Sequence, residues 1–144
     1  FTDGVMGGVS SGKMGLLNEE NNNFIRLEGN VSTENNGGFI QIRHEISNLS
    51  DELRRIKLYV RGNNEKYHVF IRTKKTLLPW QFYSADFLAK NNWSNVELSL
   101  DDFKKSGFLL SSRILPSDIK SIGIVAYGRD FEALIDIKEI HFLN

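Results

Sequence analysis

From Phe24 to the C-terminus, apolar side chains recur at every second residue and almost nowhere at the three-to-four-residue spacing of a helix. Period two is the signature of a strand with one buried and one solvated face. Gly38–Ser47 puts Ile40, Ile42 and Ile46 on one side and Gln41, Arg43 and Glu45 on the other. Arg55–Arg61 sets Ile56, Leu58 and Val60 against Lys57, Tyr59 and Arg61, and Lys66–Thr73 sets Tyr67, Val69 and Ile71 against His68, Phe70 and Arg72. Pro79–Ser84 is aromatic-rich, and Trp93–Leu100 alternates Val96, Leu98 and Leu100. Ile119–Tyr127 and Phe131–Leu143 close the chain, and in the latter the phase slips before Ile140, as a β-bulge requires. About eight or nine strands without crossover helices predict an all-β fold, an antiparallel β-sandwich or barrel.

Turn chemistry agrees. The chain holds 12 Gly and many Asn but only 2 Pro, and Gly and Asn tolerate the left-handed backbone of tight turns. Gly62-Asn63-Asn64-Glu65 reads as a hairpin connection, Asn18–Asn23 as a solvated loop, and Ser50–Arg54 and Leu100–Lys105 as short turns. At 144 residues, with no linker, repeat or low-complexity tract, residues 1–144 are expected to form a single domain.

The charge balance excludes some functions. Eighteen basic residues against eighteen acidic ones give zero formal charge, so the general attraction to phosphate that nucleic-acid binders use is missing. No apolar run approaches the roughly 20 residues of a membrane-spanning helix. With no cysteine there is neither a disulfide framework nor a thiolate metal site. That fits a reducing compartment, so an intracellular location such as a bacterial cytoplasm is expected, with secretion left open.

The motifs of catalysis read as bland. Gly8-Val9-Ser10-Ser11-Gly12 matches the nucleophile-elbow pattern, but no strand precedes it and no helix follows to present the Ser10 hydroxyl. No phosphate-cradling glycine spacing is present. His44, His68 and His141 lack metal-ligand spacing, and His44, on an apolar face, is expected in the core. Glu28, Glu45, Glu97 and Asp136 could serve glycoside hydrolysis only if two of them faced each other across a cleft. No catalytic residue, cofactor or metal is therefore expected, with calcium held by loop carbonyls left open because such a site has no sequence signature. Asn30, Asn48 and Asn92 begin Asn-x-Ser sequons, weak signals in so Asn-rich a chain. The glycine clusters around Gly7-Gly8 and Gly37-Gly38 are expected to meet in space, with Met6 filling the gap beside them.

One constellation points to binding. If the strands around Gln41, Tyr59 and Phe70 are neighbours, their outward residues share a face. Arg43, Tyr59, Arg61, Phe70 and Arg72 are its candidate contact residues, with Glu45 as the obvious acid and Glu97 or Asp136 within possible reach from another strand. Guanidinium forks beside aromatic rings bind carboxylates, sugars or a partner protein. The competing reading is a solvated face held by cross-strand pairs.

Asp3-Gly4-Val5-Met6-Gly7-Gly8-Val9-Ser10, followed by Asn36-Gly37-Gly38-Phe39 and Arg43, resembles the complex I intermediate-associated protein domain. The likeness continues through Val60-Arg61-Gly62, Tyr67, Arg72-Thr73, Trp93, Phe103, Ser121-Ile122-Gly123 and Phe131. The resemblance implies a galactose-binding-like jelly roll, similar to some carbohydrate-binding modules, and no enzymatic residue set. It also implies a binding or assembly role, and the mitochondrion as the location in a eukaryote, since eukaryotic relatives assist assembly of mitochondrial NADH:ubiquinone oxidoreductase. The partner is then a protein or, alternatively, a carbohydrate. Where the family usually has Gly-Asp-Gly, this chain has Gly62-Asn63-Asn64, which removes a carboxylate.

Overall fold

The described residues form ten strands: β1 (Ser11–Glu19), β2 (Asn22–Val31), β3 (Phe39–Glu45), β4 (Arg55–Arg61), β5 (Glu65–Thr73), β6 (Tyr83–Ala89), β7 (Ser94–Ser99), β8 (Lys104–Lys105), β9 (Ile119–Tyr127) and β10 (Phe131–Leu143). The computed structural model describes residues 11–34, 38–78 and 80–144, and not the side chains of residues 11–13. Gly7, Gly8, Gly37, Met6 and Ser10 lie outside the described residues, and with them the expected meeting of the glycine clusters.

The strands form two five-stranded sheets, ordered β1-β2-β10-β4-β7 in the first and β3-β9-β5-β6-β8 in the second. Every pairing is antiparallel. Two 3-10 turns, Leu100–Asp102 and Pro116–Asp118, are the only helical elements longer than one residue among the described residues. No helix there is long and apolar enough to cross a membrane, which says nothing of a β-barrel.

The inner faces meet in one core. Leu27, Ile56, Leu58, Val60 and Ile135 come from the first sheet; Ile40, Tyr67, Val69, Ile71 and Ile124 come from the second. Each such side chain contributes roughly 1.5–3 kcal/mol by leaving water. The phase slip in β10 is real, since the register with β4 shifts between Ile137 and Glu139.

Three expectations need correction. The polar tract Asn18–Asn23 is mostly strand: only Glu20 and Asn21 form the turn, with φ of 51° and 65°, the paired positive angles of a two-residue hairpin. His44 is exposed, since burial along β3 falls away over its last three residues. The segment Gly62–Glu65 is a crossing between the sheets, since β4 belongs to the first and β5 to the second. Its backbone joins the end of β6 instead: Gly62 N–H donates to Lys90 O at 2.6 Å and Asn64 N–H to Ala89 O at 2.8 Å.

Candidate functional site

That crossing divides the expected contact face. Tyr59 and Arg61 lie on the outside of the first sheet, and Arg43, Phe70 and Arg72 on the outside of the second. The two faces differ in charge compensation.

On the first sheet, register places Asp136 of β10 directly between Arg26 of β2 and Arg61 of β4. Arg26 Nε donates to Asp136 Oδ1 at 2.7 Å and its Nη2 to Oδ2 at 3.1 Å. Arg61 donates to the same Oδ2 from Nε at 3.0 Å and Nη2 at 2.9 Å, and also reaches Glu19 at 3.2 Å. Asp136 is buried. The hydrogen bond to Asp136 raises the Arg26 guanidinium above its ordinary range; those to Glu19 and then Asp136 raise Arg61. Aromatic rings close over this cluster: Trp93 stacks on Tyr59 at 5.3 Å and meets Phe24 edge-on at 5.5 Å, and the Arg61 guanidinium lies 4.8 Å from the Trp93 ring. Cations, carboxylates and rings satisfy one another here. Tyr59 and Arg61 therefore sit in an internally compensated cluster.

The second sheet is arranged differently. Facing outward from β9, which lies between β3 and β5, are Ser121, Gly123 and Val125, all buried although they lie on the outer surface. Longer side chains of the flanking strands overhang them. Across β9, Arg43 of β3 and Phe70 of β5 oppose each other through Gly123, and Glu45 and Arg72 oppose each other through Ser121. Small residues flanked by long ones make a trough. Its end is a hollow of ≈ 470 Å³ lined by Arg43, Glu45, Ile46, Ser47, Arg72, Lys120 and Ser121. A Cβ on Gly123 would come within 3.1 Å of Gln41 Oε1 and 3.3 Å of Ile42 O, so a larger residue here would push β3 outward by a few tenths of an ångström.

Arg72 has no carboxylate partner among the described residues. Its Nη2 donates to Thr76 O at 2.8 Å and Leu78 O at 3.0 Å, and its Nε lies 3.5 Å from Thr76 Oγ1. Burial, and then the positive charge of Arg43, push its guanidinium pKa below the ordinary value. Beside the hollow runs an aromatic row: Phe70 stacks on Phe82 at 4.2 Å and meets Tyr127 at 5.1 Å, while His68 lies 4.4 Å from Tyr127. His68 Nδ1 is buried without a hydrogen-bond partner among the described residues, and burial pushes the imidazole below its ordinary value.

Sequence reasoning found Arg43, Phe70 and Arg72 but missed Ser121, Gly123, Phe82, Tyr127 and Lys120. The available signal was Ser121-x-Gly123-x-Val125, three small outward positions in a strand whose neighbours carry Arg and Phe. The candidate carboxylates do not gather: Asp136 is held by two arginines, Glu97 pairs with Arg55, and Glu45 is on the opposite sheet. No group of three metal-ligating side chains occurs among the described residues.

Solved structures share this fold at low identity. A family 11 carbohydrate-binding module from Clostridium thermocellum, in complex with a β-1,3-1,4-mixed-linked tetrasaccharide, is 10% identical with a TM-score of 0.78, over 94% of this chain and 84% of that one. The family 11 module of the cellulosomal cellulase Lic26A-Cel5E of the same organism gives the same identity and TM-score over 94% and 82%. A CBM4 structure is 12% identical with a TM-score of 0.59, over 94% and 79%. At such identities the likeness establishes the β-sandwich jelly roll and nothing finer. No curated protein sequence matches the chain. The family model for complex I intermediate-associated protein 30 matches residues 1–136, and the chain belongs to that family.

Proposed function

We propose that this chain is a non-catalytic binding and assembly domain that holds a protein partner on the outer face of the β3-β9-β5-β6 part of the second sheet. The observation that carries the reading is Arg72: a partly buried guanidinium beside Arg43, at the rim of a hollow, with no carboxylate of its own among the described residues. Two cations that repel each other across a trough favour an incoming carboxylate or a row of carbonyl oxygens, because arginine offers donors only. Lys120 adds a third cation at the hollow and Glu45 the single acid. Phe70, Phe82 and Tyr127 supply the apolar area that anchors an interface. Membership of a family with relatives that assist complex I assembly supports a polypeptide as the partner.

A second reading, carbohydrate recognition on the same face, is favoured by one observation. A structure of this fold is described with a tetrasaccharide bound, and aromatic rings beside guanidinium groups suit sugar hydroxyls as well as peptide carbonyls.

The test compares immobilised wild-type chain with Arg43→Glu and Arg72→Gln variants in extracts of its own cells, followed by mass spectrometry. The reading expects a defined protein retained by wild type and lost by both folded variants. Calorimetry with the mixed-linked tetrasaccharide forms the second arm. Saturable heat there, without a retained protein, would move the assignment to carbohydrate.

A further inference from the structure

Two neighbouring loops carry the same unusual pattern. The β5–β6 connection reads Lys74-Lys75-Thr76-Leu77-Leu78-Pro79-Trp80; the stretch from β8 reads Lys104-Lys105-Ser106-Gly107-Phe108-Leu109-Leu110-Ser111-Ser112-Arg113. Together they hold five cations and no carboxylate, in a chain of zero net charge. They hold four of its most exposed large apolar side chains too: Leu77 at 80%, Trp80 at 67%, Phe108 at 86% and Leu109 at 79%.

These are built loops. Ser106 ties them together: its N–H donates to Phe82 O at 2.9 Å, its hydroxyl donates to Trp80 O at 2.9 Å, and it accepts from Phe82 N–H at 3.0 Å. Lys105 Nζ donates to Leu110 O at 3.1 Å, and the Tyr83 hydroxyl donates to Ser111 O at 2.6 Å. On the other side, Thr76 is fully buried and Arg72 holds two carbonyls of the turn. The backbone is fixed inward and the apolar side chains are left outside. Nearby acids are few. Asp118 lies 3.7 Å from Lys75, and Asp101 and Asp102 precede Lys104 in the chain.

Apolar tips flanked by lysines match a membrane interface, where rings and aliphatic chains enter the acyl boundary and cations meet headgroup phosphates. We infer that these two loops bind the surface of an anionic phospholipid bilayer through Leu77, Trp80, Phe108 and Leu109, with Lys74, Lys75, Lys104, Lys105 and Arg113 at headgroup level. Charge complementarity selects this occupant. A second copy of the chain would bring five more cations against these five. A purely apolar protein groove would leave the lysines without a role.

The test is vesicle flotation of the full chain with phosphatidylcholine alone and with phosphatidylcholine mixed with phosphatidylglycerol. Tryptophan emission is recorded alongside in a Trp93→Phe background, where Trp80 is the sole reporter because the chain has two Trp. The inference expects flotation with the anionic vesicles, weakened by salt, and a blue shift of the Trp80 emission. Trp80→Ser with Phe108→Ser, at unchanged melting temperature, should weaken binding at least about tenfold. Equal affinity for neutral and anionic vesicles, no flotation, or a double variant that floats like wild type would each overturn it. A concentration-dependent dimer lost on Trp80→Ser, without vesicle binding, would reassign the patch to a second copy of the chain.

Discussion

Gly62 and Ala89 touch at the point where the chain leaves one sheet for the other: a Cβ on Gly62 would come within 2.4 Å of the Ala89 Cβ and 3.0 Å of its carbonyl oxygen. Neither atom belongs to a flexible side chain, so the backbones must separate to admit a methyl group. Gly62→Ala is expected to cost about 1–3 kcal/mol, the range for overpacking. Urea denaturation checks this, and a variant as stable as wild type would show that the crossing is looser than described.

The same crossing explains what was legible and what was not. The bounds of β4 and β10 follow from alternation, because one face of each strand meets the core while the other meets solvent or polar neighbours, and those of β9 follow from an apolar run buried on both faces. β1 was invisible. It pairs with one strand only, and its apolar Met14 and Leu16 are exposed, so burial imprints no pattern on it. Gly62-Asn63-Asn64 has the composition of a hairpin, and that composition serves a sheet-to-sheet crossing equally well. The distinction lies in a contact with Ala89, which local sequence does not encode. Hence the five candidate residues were individually placed outward, yet their division between two faces was not foreseen.

Tyr67 links the two sheets. From β5 its hydroxyl accepts the N–H of Leu134 in β10 at 2.9 Å and lies 2.6 Å from Asn63 Oδ1, to which it donates. Burial pushes the phenol up to about 12, so it stays protonated at neutral pH. Tyr67→Phe keeps the ring but orphans a backbone N–H, at an expected cost of about 1–3 kcal/mol. Hydrogen exchange should show the Leu134 amide losing protection beyond the global change.

Asp136 is the counter-charge of the first sheet's outer face. Asp136→Asn leaves Arg26 and Arg61 opposed across β10. Both guanidinium groups retain some contact with water, at 31% and 21% exposure. The loss is therefore expected near 2 kcal/mol, below the roughly 3–5 kcal/mol of a fully buried broken pair. Thermal melts at low and high salt check it, with salt recovering part of the loss by screening the two cations.

His68 makes stability depend on pH. Its folded-state value is depressed from 6.5, first by burial. The unfolded chain therefore takes up the proton first, and stability present above about 6.5 declines as pH falls through the folded-state value. Chemical denaturation between about pH 7 and 5 should show this decline reduced in His68→Gln. An identical slope in both proteins would assign the dependence to other groups.

The central claim is that the contact surface is the outer face of the second sheet and not the compensated face of the first. The most direct measurement is partner retention by four folded variants, two on each face: Arg43→Glu and Arg72→Gln against Tyr59→Ser and Arg55→Gln. The account predicts that the first two lose the partner and the last two keep it at wild-type yield. Retention by Arg43→Glu and Arg72→Gln, with loss on Tyr59→Ser, would contradict it and place the contact on the Trp93 and Tyr59 side of the sandwich.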